Sequence, residues 1–385
     1  MKKIIIIGPA YPYRGSLSEL NEKIAAEYVR RGDEVMVFTF TLQYPAILFP
    51  GKTQYSTDAQ SFDLNIVRNI NSINPYNWVY VGDKIGKLHP DFVVFSYWMP
   101  FFAPCFAIMA KRIHKHGNIR VVGLVHNFIS HESSLFDRLL TPCFVKAMDG
   151  FITLSEYVCN QVHDFVKDEK PVLVAPVPSE NSFGEKVSKT TALKKLNLDE
   201  NFNYLLFFGF IRHYKGLDML IDTLADIRLQ KYHVKLLVAG EFYEDKQQYI
   251  DRINRLQLSE RIIIIDKFIA NDDIKYYFSA VDALVLPYRS ATQSGLTEKA
   301  YNYDTPMIAT NVGALSESVI DGKVGYVVDP NVEAITNGLL QFYEEAKYEY
   351  FVENIKIEKH KRTWLNFNNT INEVVSLIDN HDNTK

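Results

Sequence analysis

The residues best suited to chemistry begin with Arg212 and Lys215, in the stretch Tyr204–Gly216, YLLFFGFIRHYKG. Mostly apolar residues run into Gly209, and the turn that follows carries the two cations and no acid. Leu217, Leu220, Ile221, Leu224 and Ile227 then recur at helical spacing. A strand, a tight loop and a helix in that order place Arg212 and Lys215 at the carboxyl edge of a strand. An open parallel sheet holds its ligands at that edge. A guanidinium and an ammonium there suit a di-anionic phosphate group; the alternative is a surface turn with two solvated cations.

A second stretch, Pro287–Ala300, PYRSATQSGLTEKA, has the same form. A strand ends at Leu286, a loop of Ser, Thr, Gln and Gly follows, and a helical pattern begins near Leu296. Free N–H groups at a helix start, with Gly295 allowing close approach, make an anion site. An ordinary capped helix is the competing reading. Two phosphate-suited loops at one sheet edge together suggest a nucleotide diphosphate. In the first half, GPAYPYRGS follows the first strand and His126-Asn127 follows Val121–Val125, both at carboxyl edges. His126 there is either ligand-facing or a satisfied core histidine.

Several chemistries lack their signature. No Asp-x-Asp occurs, so a divalent metal bridging a diphosphate through paired aspartates is not expected. No Gly-x-Gly-x-x-Gly follows the first strand, and no Gly-x-x-x-x-Gly-Lys-Ser/Thr is present. Nicotinamide binding and phosphoryl transfer from ATP therefore lose their main support.

The elements that must position these residues alternate. Strands are expected at Ile4–Ile7, Val35–Phe40, Asn65–Val67, Val93–Phe95, Val121–Val125, Phe151–Leu154 and Val172–Ala175. Leu17, Leu20, Ile24 and Tyr28 line a helix face after the first strand, and Gly32 ends that helix. Leu42–Ser61, with turn-like composition and aromatic spikes, receives no element. A second series follows at Leu205–Phe208, Lys235–Ala239, Ile262–Ile265, Ala283–Leu286, Met307–Thr310 and Tyr326–Val328. Between the series, Pro176–Thr191 is rich in Pro, Ser and charge and reads as a linker. The fold class is α/β, with two Rossmann-like, doubly wound domains facing each other across a cleft.

Composition agrees with two folded domains. At 385 residues the chain exceeds a single core of roughly 150 residues, and 47 % apolar content argues against disorder. A net charge of −4 supplies no field for nucleic acid. Three scattered cysteines form neither a metal spacing nor a disulfide framework, which fits a cytoplasmic location. Phe92–Ala110 is uncharged for nineteen residues, but Pro100 and Pro104 interrupt it, so it reads as strand, apolar loop and helix rather than a span. Peripheral contact with anionic lipid is conceivable through Lys111, Arg112, Lys115 and Arg120 beside Phe101 and Phe102; a solvated helix end is the plainer reading.

Taken in order, GPAYPYRGS, VHNFISHE, DGFITLSE, FFGFIRHYKGLDMLI, VAGEFY, LPYRSATQSG and TPMIATNVGALSE resemble the retaining glycosyltransferases of family four, with the GT-B fold. The resemblance covers nearly the whole chain. It implies hexosyl transfer from a nucleotide-diphospho-sugar donor to a glycan or lipid-linked acceptor, with no metal or other cofactor, in surface polysaccharide synthesis. It implies domains at 1–180 and 192–362, the first on the acceptor side and the second binding the donor, with a last helix (363–380) returning to the first.

By the same resemblance, Arg212 and Lys215 match the cations on the donor diphosphate, beside the strand glycine Gly209. Ser294, Gly295, Leu296, Thr297 and Glu298 match the helix start near the phosphates. His126 matches a histidine near the donor sugar, and Gly15-Ser16 the glycine loop after the first strand. The family's arginine after the strand glycine is Phe210 here, so Arg212 is expected in its role. The family's glutamate pair falls on Ala291 and Lys299, leaving Glu298 one residue early, about 100° round a helix. Either Glu298 is re-aimed onto the donor ribose, the preferred reading, or that contact is absent. Two rival readings are a nucleotide-binding partner subunit without catalysis and a sugar-nucleotide epimerase of the same fold.

Overall fold

A computed structural model describes residues 1–45, 54–56, 60, 62–128, 135–166, 170–179, 184–291 and 294–382. The expectations for most of Leu42–Ser61, for the end of VHNFISHE and for Thr292-Gln293 lie outside those residues. The chain divides into two compact units: Met1–Pro176 with Trp364–Lys385, and Val177–Thr363.

The first unit carries strands β1 (Lys3–Ile7), β2 (Glu34–Leu42), β3 (Asn65–Asn71), β4 (Phe92–Tyr97), β5 (Arg120–Val125), β6 (Gly150–Thr153) and β7 (Val172–Val174). Among the described residues they form one parallel sheet of order β3-β2-β1-β4-β5-β6-β7. Strands β4 and β5 are buried along their whole length, which is why they read as near-continuous apolar runs instead of alternating ones. The intervening helices are α1 (Ser16–Arg30), α2 (Pro75–Gly86), α3 (Ala103–His114), α4 (Leu135–Ala147) and α5 (Glu156–His163).

The second unit carries β8 (Asn203–Phe208), β9 (Val234–Ala239), β10 (Ile262–Ile265), β11 (Ala283–Leu286), β12 (Met307–Thr310) and β13 (Gly325–Val328). Their order is β10-β9-β8-β11-β12-β13, again parallel. Its helices are α6 (Lys189–Leu196), α7 (Leu217–Leu224), α8 (Gln247–Arg255), α9 (Asn271–Ala280), α10 (Gly295–Asn302), α11 (Leu315–Ser318), α12 (Val332–Glu344) and α13 (Tyr348–Lys359). Each sheet thus reverses its strand order once, between β1 and β4 and between β8 and β11. Such reversals open a crevice at the carboxyl edge.

The last helix, α14 (Trp364–Asp382), belongs to the first unit. Asn368, fully buried, donates from Nδ2 to the Ile24 carbonyl (3.1 Å), and Tyr28 Oη donates to the Asn368 carbonyl (3.1 Å). Arg31 Nη1 adds a bond to Asn369 Oδ1 (3.0 Å), so the contact between α1 and α14 carries polar pairs beside its apolar residues.

Two expectations need correction. Ile227 does not extend the buried face of α7. That helix stops at Leu224; Asp226 caps a separate 3₁₀ turn, Ile227–Tyr232, and leaves Ile227 74 % exposed. The linker is shorter than Pro176–Thr191, because Ser188 caps α6 through the Thr191 N–H and Ala192 and Leu193 enter the core. Of the four cations near Phe101 and Phe102, Lys111 and Lys115 are exposed and the two arginines are paired. Arg112 is paired in bidentate fashion with Asp83 (2.8 and 2.6 Å), Arg120 with Asp379 (2.7 Å), and Phe102 is fully buried among aromatic rings. Among the described residues no helix is long and apolar enough to cross a membrane.

Candidate functional site

The two cations lie where the second sheet reverses. Arg212 starts the 3₁₀ turn His213–Lys215 in an extended conformation, and Gly216 follows it at φ 70°. A Cβ on Gly216 would meet the Pro287 carbonyl oxygen at 2.0 Å, so only glycine lets the turn close against the end of β11. Lys215 is consequently folded inward and buried. Its Nζ sits 5.7 Å from the centre of the Tyr288 ring and close to Gly209, where an added Cβ would stand 3.2 Å away. Lys215 therefore bridges the ends of β8 and β11, the two strands of the switch point.

Neither cation has a carboxylate within ion-pair distance among the described residues. Burial, and after it the nearby Arg212 charge, lower the Lys215 ammonium to about 8. A buried ammonium with no counter-charge costs stability. An anion entering here would remove that cost.

The start of α10 is tied to the same place. Tyr288 Oη lies 3.4 Å from Ser294 Oγ, and Ser294 Oγ accepts from the Leu296 N–H (3.4 Å). The Thr297 N–H and hydroxyl both donate to the Ser294 carbonyl (3.1 and 2.7 Å). The helix start is thus capped, as the plainer reading expected, but Gly295 is exposed and a Cβ there would meet nothing within 4 Å. Packing does not require this glycine; room for a ligand at the Gly295 amide would.

Glu298 faces elsewhere in this structure. One carboxylate oxygen lies 3.4 Å from Arg362 Nη1, and the other is buried without a partner. Arg362 Cζ also lies over the Tyr301 ring, 4.3 Å from its centre. Burial raises the Glu298 carboxyl to about 7, against the lowering effect of Arg362.

In the first unit, His126 follows β5 and is buried. Its Nε2 lies 2.8 Å from Ser96 Oγ in β4, and its backbone N–H donates to the Tyr97 carbonyl (2.8 Å). Burial lowers its imidazolium to about 3, so the ring is neutral at physiological pH. At the β1–β4 switch, Gly8 permits close packing: a Cβ there would meet Asn21 Nδ2 at 2.6 Å and Ser96 Cβ at 2.7 Å. Gly15, at φ 110°, opens α1, and Ser16 is its exposed first residue. The Asn21 side-chain oxygen nearby is buried without a partner.

Gly209, Arg212, Lys215 and Ser294–Thr297 therefore converge on one edge, while Gly15, Ser16 and His126 belong to the other unit. Sequence reasoning missed Tyr288, Asp218 and Arg289. Arg289 stood inside a quoted motif, but its partner is Asp218, 71 positions away, and no local pattern announces that meeting.

The model of the family described as "Glycosyl transferases group 1" matches residues 188–358, and that of "Glycosyltransferase Family 4" matches residues 21–177. The chain belongs to the group 1 glycosyltransferases and has the GT-B fold. Among curated members, it is 28 % identical over 183 residues to an uncharacterized glycosyltransferase of Methanocaldococcus jannaschii, covering 48 % of this chain and 46 % of that one. It is 30 % identical over 140 residues to the lipopolysaccharide core biosynthesis mannosyltransferase LpsB of Rhizobium meliloti, covering 35 % of this chain and 39 % of that one. The chain spans less than half the length of these curated relatives. Among solved structures, Anabaena HepE in complex with UDP-glucose superimposes with a TM-score of 0.70 at 18 % identity, over 98 % of this chain and 100 % of that one. The lipopolysaccharide outer core galactosyltransferase WaaB gives a TM-score of 0.71 at 13 % identity, over 97 % and 99 %. At these identities the structural likeness speaks for the fold of this group 1 glycosyltransferase alone.

Proposed function

We propose that this group 1 glycosyltransferase moves a hexosyl residue, with retention, from a nucleotide-diphospho-sugar to a glycan or lipid-linked acceptor in surface polysaccharide synthesis. The observation that carries the reading is the buried Lys215 ammonium, unpaired with any described carboxylate and placed beside Gly209 and Tyr288, whose hydroxyl lies 3.4 Å from Ser294 Oγ before α10. Relatives named for lipopolysaccharide and capsule synthesis, and a structural neighbour holding UDP-glucose, support the substrate class.

In this reading Lys215, Arg212 and the Gly295 amide stabilise charge on the departing diphosphate, and no divalent ion is assigned. The C1–O bond to the distal phosphate breaks while the acceptor oxygen bonds C1 from the same face. The freed phosphate oxygen takes the acceptor proton, so no protein base is needed. His126 is neutral and anchored to Ser96, so in its own unit it can offer a ligand a hydrogen bond rather than a charge. A reducing cytoplasm fits Cys105, Cys143 and Cys159, none of which is in a disulfide.

A thermal-shift panel of UDP, ADP, GDP and their hexosyl derivatives tests the donor class, since a ligand that binds only the folded state raises Tm. Incubating the stabilising donor with oligosaccharide and lipid-linked acceptors, followed by NMR of the product's anomeric proton, tests transfer and retention. No stabilisation by any nucleotide would sink the proposal. A second reading, a nucleotide-binding subunit without catalysis, is favoured by Glu298 facing Arg362; it requires binding with no turnover. Isomerised donor in the absence of acceptor would indicate an epimerase.

A further inference from the structure

Arg212 carries a charge that no described carboxylate neutralises, yet its guanidinium has a seat. Its Cζ lies 5.1 Å from the centre of the Tyr243 ring, and that ring packs on Phe210 at 4.5 Å and 57°. The three residues stand on two segments that go on pairing past the ends of β8 and β9. The Ile211 N–H donates to the Glu241 carbonyl (2.9 Å), the Tyr243 N–H donates to the Ile211 carbonyl (3.1 Å), and Ile211 and Phe242 form an isolated parallel bridge. Ile211 is fully buried, so Phe210 and Arg212, on either side of it, both project outward. Tyr243 reaches both from the neighbouring segment. Phe210 is 40 % and Tyr243 56 % exposed, so both rings are open to solvent at this edge.

Two acids near the same edge, Glu244 and Asp266, are turned to other partners. Glu244 accepts from the Tyr249 hydroxyl, and Asp266 is paired with Lys246 (3.0 Å). We propose that Tyr243 is a positioning residue: it seats the Arg212 guanidinium by a cation–π contact in the place a carboxylate would ordinarily take. The proposal rests on the reading of this edge as a diphosphate site. A carboxylate seat would cancel the charge and compete with the incoming phosphate. An aromatic face attracts the cation through its quadrupole without cancelling it. A contact with the ring face takes none of the guanidinium's N–H donors from a bidentate pair with phosphate oxygens. Phe210 supports the Tyr243 ring from its other neighbour, so the seat is built before ligand arrives.

The test is calorimetric titration of inorganic pyrophosphate and of UDP, ADP and GDP into the full chain, for wild type, Tyr243→Phe, Tyr243→Leu, Arg212→Ala and the Tyr243→Leu/Arg212→Ala double variant. Tyr243 is mostly exposed, and thermal melts confirm that each variant is folded. Tyr243→Leu is expected to weaken pyrophosphate and the best nucleotide by about three- to tenfold. Tyr243→Phe, which keeps the ring face, stays within about twofold. In the Arg212→Ala background Tyr243→Leu has no further effect. Wild-type affinity in Tyr243→Leu overturns the proposal while leaving the diphosphate site intact, as does an equal loss in the Arg212→Ala background. Failure of wild type to bind pyrophosphate or any nucleotide removes the site reading, and this inference with it.

Discussion

Arg289 and Asp218 form a two-point ion pair, Nη1–Oδ1 at 2.8 Å and Nη2–Oδ2 at 2.6 Å, that joins the segment after β11 to the first turn of α7. The same guanidinium donates to the His213 carbonyl (2.9 Å), and the Arg289 backbone N–H donates to the Tyr214 carbonyl (2.7 Å). One residue thus staples the turn bearing Lys215 to the loop that leads into α10. Burial would raise the Asp218 carboxyl, but the Arg289 hydrogen bonds and charge outweigh it and hold the group below its ordinary range.

Because Arg289 positions rather than binds, Arg289→Ala should weaken nucleoside diphosphate binding by about tenfold without abolishing it. Arg289→Lys should restore little, since an ammonium cannot reproduce a bidentate pair. Calorimetric titration of the best nucleotide into both variants checks this; full affinity in Arg289→Lys would contradict the staple.

Lys215 should matter more. Lys215→Ala is expected to lower turnover by on the order of 10²–10³. In the ligand-free protein the lysine's folded value, about 8, lies below its ordinary 10.5. Between those values the unfolded chain binds more protons, so stability should rise with pH across that window. Anion affinity should do the opposite, falling as pH climbs past about 8 and the ammonium is lost. Denaturant melts and nucleotide titrations from pH 7 to 10.5 would show the two opposed slopes, and Lys215→Met should lack both.

Glu298 gives a slope on the acid side. Its carboxyl is raised from the ordinary 4.5 to about 7, so the folded state binds more protons between those values. Stability should therefore fall as pH rises from about 5 to 7. Glu298→Gln removes that slope while keeping an acceptor for Arg362. Parallel melts over this range that superimpose for wild type and variant would show that the carboxyl is not perturbed.

Gly216→Ala should be costly for two separate reasons. Its φ of 70° disfavours any Cβ, and the new atom would stand 2.0 Å from the Pro287 carbonyl oxygen. At Gly322, with a similar φ of 67°, a Cβ would meet nothing within 4 Å. Gly322→Ala should then cost about 1 kcal/mol from backbone strain alone, and Gly216→Ala clearly more. Urea unfolding of the two variants gives the difference directly.

Most of the scaffold was legible beforehand because its signals are local. IIII, FVVF and VVGLV are apolar runs bounded by turn residues, and they became β1, β4 and β5 with ends displaced by a residue or two. Ile227 misled because its spacing continued the helical pattern, while Asp226 offered the chain a better cap two residues before Arg228. Arg112 and Arg120 read as free cations for the opposite reason: their acids, Asp83 and Asp379, lie far away in sequence.

The amino-acid order alone determined the strand–loop–helix units, their α/β rhythm and the presence of Arg212 and Lys215 after β8, since periodicity and turn chemistry act over a few residues. Only the folded chain decided that Lys215 is buried beside Tyr288, that Arg212 rests on Tyr243, that Arg289 meets Asp218 and that Glu298 turns to Arg362. Burial and partnership depend on which distant segments the sheet order brings together, and side-chain charge takes its energetic meaning from those neighbours.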